Sequence, residues 1–202
     1  MSSKTEISNM AISHLGIGKE IANLDTEKSE EANACRRFFK IAAESTLGDI
    51  DWTFATKFLT LNLIEECPFA EEWKYAYRYP TDCLNLRRIL SGIRNDTSKT
   101  RVVFKLSRDG NGQIILTDQE VAVAEYTENL GSTAFYTPEF TLALSFRLAA
   151  LIAPRITGGD PFQAKEDMLR LYDLEIKNAK KKNINEETSD NRPESEFITV
   201  RK

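Results

Sequence analysis

Apolar positions recur every three to four residues towards both ends of the chain and every second residue between them, a pattern that predicts helices outside and strands inside. The first helical stripe is Ile7, Met10, Ala11 and Leu15. Ser3-Lys4-Thr5-Glu6 ahead of it has the form of a capping box, in which a hydroxyl and a carboxylate satisfy the orphan amides of a helix start. Gly16 and Gly18 end this helix. Beyond the apolar linker residues Ile21 and Leu24, Thr26 offers an N-cap, and Glu27 and Glu30 supply negative charge for the first turn of a second helix reaching Gly48. Its buried stripe is Ala32, Cys35, Phe39 and Ala42, widened by Phe38, Ile41 and Leu47. The period then changes. Trp52 and Phe54 flank Thr53, and Leu59, Leu61 and Leu63 alternate with Thr60 and Asn62 as in a half-buried strand.

The two-residue period predicts a strand over 58–64, a break at Glu65-Glu66-Cys67-Pro68, and then an aromatic ladder of Trp73, Tyr75, Tyr77 and Tyr79. Further strands are expected over 84–90, 102–106 and 113–116, and one more strand or an extended connection over 118–126, with a polar loop over 94–99. Asp109-Gly110-Asn111-Gly112 is turn chemistry that closes a β-hairpin. Thr137-Pro138 starts a third helix, whose run over 140–153 is apolar almost all round and is therefore expected to be the most buried, with Pro154 kinking or ending it. Gly158-Gly159 makes a turn, and Asp160-Pro161 starts a last helix with the stripe Phe162, Leu169, Tyr172, Ile176 and Ala179, ended by Lys177 and the lysines at 180–182. The expected fold is α+β. Helical patterns occupy 1–56 and 131–182, strand patterns 57–130 and a polar tail 183–202.

Composition narrows the function classes. Forty-one per cent apolar content over 202 residues suits one cored domain with an insertion, and a net charge of -4 removes whole-molecule attraction to nucleic acid. The three cysteines lack metal-ligand spacing, and Cys35 on the apolar helix face reads as a small buried hydrophobe in a reducing compartment. No signal-peptide pattern or membrane span is evident, so cytosolic synthesis is expected. The lone histidine, His14, adjoins Ser13, but neighbouring helical residues point apart and do not pair as nucleophile and base; a surface or partly packed role is expected. Arg36 and Arg37 flank the second helix's stripe, either as a solvated edge or as a subunit-interface ion pair. The tyrosine ladder serves either base stacking or cross-strand packing, and the absence of a basic surround favours packing. Asp109, Asn111 and Gln113 do not continue as a calcium loop, because Ile114 stands where glycine is needed. With no metal cluster, activated nucleophile or phosphate loop, no cofactor and no enzyme activity are expected. The tail is polar until Phe197, Ile198, Thr199, Val200 and Arg201, an alternating end that looks like a docking strand.

Taken in order, several segments resemble one family. Ala11-Ile12-Ser13-His14-Leu15-Gly16, then Ala32, Ala34, Cys35 and Arg36, then Asp51-Trp52-Thr53-Phe54-Ala55, then Tyr77-Arg78-Tyr79-Pro80-Thr81-Asp82-Cys83-Leu84 are similar to segments of the head-to-tail adaptor of short-tailed bacteriophages, also called tail tubular protein A. The resemblance spans most of the chain. It implies an antiparallel bundle of about four helices, formed by 1–56 and 131–182, with an inserted antiparallel β-subdomain at 57–130 and an extended C-terminal docking tail at 183–202. It further implies a virion protein assembled as a ring, a dodecamer, between the portal protein and the tail nozzle or next ring protein, with genomic DNA passing through the lumen and no membrane involved. It also implies that Phe197, Ile198, Val200 and Arg201 dock on the portal. The alternative is a nucleic-acid-binding module that uses the aromatic ladder and the basic helix end.

Overall fold

The structure is a computed structural model that describes residues 2–64, 67, 69–93 and 99–186. Four helices and two three-stranded antiparallel sheets make up the expected α+β architecture, with all six strands inserted between the second and third helices. The helices are α1 (Lys4–His14), α2 (Glu30–Asp49), α3 (Pro138–Ile156) and α4 (Pro161–Glu186). The expected tail residues Phe197, Ile198, Val200 and Arg201 lie outside the described residues, as do Glu65, Glu66 and Pro68 and the centre of the loop at 94–98.

Helix starts follow local chemistry. Ser3 and Glu6 form the capping box of α1, with bonds of 3.1 and 2.7 Å, and Thr137 Oγ1 accepts the Phe140 amide at the head of α3. Asp160 caps α4 by accepting the amides of Phe162 and Gln163. The cap of α2 is Ser29, which accepts the Ala32 amide, rather than Thr26. Thr26 is held in a turn before the helix because Asn23 Oδ1 accepts the amides of Asp25 and Thr26. As its composition predicted, α3 is the central helix, packed against α1, α2 and α4, with Phe140, Leu144, Leu148 and Ile152 fully buried. Pro154 does not stop it: the helix runs on to Ile156, with Pro154 in its last turn.

One sheet has the order β1 (Thr56–Thr60), β6 (Val123–Glu128), β3 (Cys83–Ile89), and the other β2 (Tyr75–Arg78), β5 (Gly112–Thr117), β4 (Phe104–Asp109). The β4–β5 hairpin closes where expected, with Asp109 opposite Gly112, whose φ of 137° needs glycine. The chain after β1 crosses from one sheet to the other. The Leu61 amide donates to Ala122 O, Leu63 bridges Tyr77, and the Ile64 amide donates to Ala76 O. That crossing breaks the expected leucine alternation: Leu61 is buried between the sheets, whereas Leu59 and Leu63 are exposed. Leu61, Tyr77, Ile89, Ile115, Ala124 and Tyr126 form the inter-sheet core, separate from the helical core.

Candidate functional site: the seam between helices and sheets

The chain passes from the helical body into the first sheet just after Trp52, which packs in the helical core. Its ring is 2% exposed and meets Phe140 of α3 edge-on at 5.0 Å, while Phe54 lies 5.6 Å from Trp52 and 5.3 Å from Phe140, and Tyr136 stacks edge-on against Phe140 at 4.5 Å. The indole N–H donates to Thr46 O at 2.9 Å, so the last turn of α2 is tied to the entry of β1. A short 3₁₀ turn, Thr53–Ala55, follows Trp52 and delivers the chain straight into β1.

On the sheet side the seam is held by Arg87, which the sequence did not single out. It stands on β3 with its side chain 9% exposed and donates to Thr127 Oγ1 at 3.0 Å, Thr56 Oγ1 at 2.6 Å and Trp52 O at 3.1 Å, with Asp51 at 3.0 Å as counter-ion. One guanidinium therefore joins all three strands of its sheet to the junction, using the planar fork that lysine lacks. From the helical side, Asn183 of α4 accepts the Thr53 amide at 3.0 Å and donates to Asp51 O at 2.6 Å. This support explains why α4 continues to Glu186 past the lysines at 180–182, where the sequence suggested that it ends. A third clamp joins three helices: Arg147 of α3 donates to Asp49 at 2.8 Å and to Ser45, and its guanidinium lies 4.8 Å from the Tyr172 ring centre, while the Tyr172 hydroxyl donates to Asp49. Burial, then the hydrogen bond to Asp49, pushes the Tyr172 phenol well above its ordinary value.

Beside the seam lies a cleft of about 740 Å³, bounded by the C-terminal end of α2, the outer face of the first sheet and the last turns of α4. Its carboxylates are already paired: Asp49 with Arg147, Asp51 with Arg87, and Glu125 with Arg88 at 2.5 Å. Arg101 and Lys180 also line it, and among the described residues neither makes an ion pair. The described residues hold no group of three or more metal-ligating side chains. No helix among them is long and apolar enough to cross a membrane.

The remaining sequence candidates fall as follows. Arg36 donates to Leu24 O and to Asn33, so it fastens the α1–α2 connection to α2, and Arg37 is exposed. In the ladder, Tyr77 is buried and its hydroxyl donates to Gln119 O and Glu120 O, while Tyr75 and Tyr79 pack on the same inter-sheet core. Lys182 pairs with Glu139 at 2.7 Å. His14 is partly packed, stacked on Phe146 at 4.1 Å with Nε2 2.9 Å from Ser145 Oγ, and burial lowers its pKa. Within the Tyr77–Leu84 segment, Asp82 accepts from Lys57 at 2.5 Å and from the Tyr126 hydroxyl at 3.0 Å, and Lys57 also reaches Glu128 at 2.8 Å. The Lys57 bond, first among the causes, lowers the Asp82 pKa. No protein-family model matches the chain, and no curated protein is similar to it.

Proposed function

We propose that this chain is a structural subunit of a virion, a head-to-tail adaptor of the short-tailed bacteriophage kind. In this reading it forms a ring, a dodecamer, between the portal protein and the tail nozzle or next ring protein, and DNA passes through the lumen. One observation carries the proposal: of the segments that resemble the family, one sits where the helical body joins its inserted sheets and another holds two strands of the insertion together. Asp51-Trp52-Thr53-Phe54-Ala55 forms the seam, and Tyr77–Leu84 carries Asp82, which ties β1 to β6. Sites of mechanical connection are where an assembly subunit needs defined residues, whereas an enzyme needs them around a reacting atom. A mildly acidic subunit, with a net charge of -4, also lets DNA slide rather than adhere.

Electron microscopy of the purified chain with and without its portal protein tests this. The expected result is a closed ring with a central channel seated on the portal, lost when residues 194–202 are removed from an otherwise folded chain. A chain that stays monomeric in the presence of portal overturns the adaptor assignment, and a truncated chain that still joins the portal overturns the docking role of Phe197, Ile198, Val200 and Arg201.

A further inference from the structure

We propose that the C-terminal segment 194–202 docks in the seam cleft of its own chain before it engages any partner. Four observations meet at that cleft. Asn183 anchors the last turns of α4 to Asp51 and Thr53, so the helix borders the cleft one turn before its end at Glu186. Arg101 and Lys180 are its cations that make no ion pair among the described residues, while its three carboxylates are each committed to an arginine. Phe58 lies in the cleft with 56% of its surface exposed, and it belongs to β1, whose edge away from β6 is paired with no strand among the described residues between Thr56 and Thr60.

The chain beyond α4 has matching chemistry. Glu194 and Glu196 precede Phe197, Ile198 and Val200, so acidic groups for the two cations are followed by apolar groups for Phe58 and by amides and carbonyls for the open edge. Phe197 stands eleven residues past Glu186, and such a length spans at most about 36–40 Å, enough to turn back into a cleft at the helix end. A connection of this length within one chain gives an effective concentration on the order of millimolar, which favours the chain's own cleft over that of a second copy. The proposal does not rest on ring assembly, because it concerns the single chain; its failure leaves the adaptor reading standing, and the reverse also holds.

The test is carbodiimide coupling of the full-length chain, prepared as a mixture of isotopically light and heavy protein, with the products mapped by mass spectrometry. Lys180 is expected to form an amide with Glu194 or Glu196 within one chain. The yield should fall at least about threefold in Arg101→Glu and, separately, in Phe58→Ser, since each removes one side of a weak exposed contact. Both positions are exposed, and circular dichroism confirms that each variant is folded. No such product, or a yield unchanged in either variant, overturns the proposal, because coupling would then report tether proximity alone. Products joining light to heavy chains only also overturn it, and make a second copy the occupant.

Discussion

Replacing Trp52 by alanine removes an indole that is 2% exposed, its edge-on contact with Phe140, its contact with Phe54 and the hydrogen bond to Thr46 O. Truncating a buried tryptophan costs about 3–5 kcal/mol, and the carbonyl left without its donor adds about 1 kcal/mol. The expected loss is therefore about 4–6 kcal/mol, a large part of the roughly 5–15 kcal/mol that holds a domain folded. Trp52→Phe keeps most of the ring and loses the N–H, so it should cost about 1–2 kcal/mol. Urea titration followed by far-ultraviolet circular dichroism measures both losses. Emission from Trp73, which packs on the second sheet, reports the sheets separately. If Trp52 couples the two cores, the Trp73 transition moves with the helical one in the alanine variant. A cost below about 1 kcal/mol for Trp52→Ala, or a Trp73 transition that stays in place while the helical one shifts, refutes the seam as the element joining the cores.

Arg87→Ala removes the donor to the buried Thr127 hydroxyl and the counter-ion of Asp51, while the Thr56 hydroxyl and the Trp52 carbonyl keep their bond to each other, and should cost about 1–2 kcal/mol in urea titration, with Arg87→Lys recovering less than half because an ammonium does not reproduce the fork. Burial holds His14 below the ordinary imidazole pKa of 6.5, so the unfolded chain takes up that proton first as pH falls. The His14 contribution is fully present above pH 6.5 and is lost on acidification towards the folded value, and a His14→Gln variant should show a flatter fall in urea midpoint across that range. Burial pushes the Cys35 thiol up to about 11, so at mildly alkaline pH Ellman's reagent should modify Cys35 only at the rate of global unfolding. Modification of Cys35 before loss of helical signal contradicts that placement.

Local chemistry made much of the fold legible. Ser3, Thr137 and Asp160 announce their helices because a cap and the amide it satisfies lie within three residues of one another. Thr26 misleads for the same local reason: it has the chemistry of a cap, but Asn23 captures its amide first, and Ser29 takes the role. The β4–β5 hairpin is visible in its turn, whereas the order β1-β6-β3 brings together strands far apart in sequence and leaves no nearby mark. Leu59 and Leu63 fit a strand pattern yet lie exposed because the chain changes sheets at Leu61. At the seam, Trp52 and Phe54 declared themselves by size and position. Arg87 did not, since its value depends on Thr56, Thr127 and Trp52 O, which only the folded sheet gathers around it. Asn183 appeared to begin a polar tail, and its role exists only because α4 lies across the junction.

Asn183 also determines where a pull would be felt. Tension applied to the C-terminal end of this chain reaches α4 first, and the amide of Asn183 passes it directly to Asp51 and Thr53. Two hydrogen bonds side by side then bear the load before the packed interior of the helices does, so the first element to yield would be the joint between body and sheets. Under force the molecule would behave as two stiff blocks on a breakable latch, and removing the latch with Asn183→Ala should lower the force of the first rupture in single-molecule stretching while leaving the later ones unchanged.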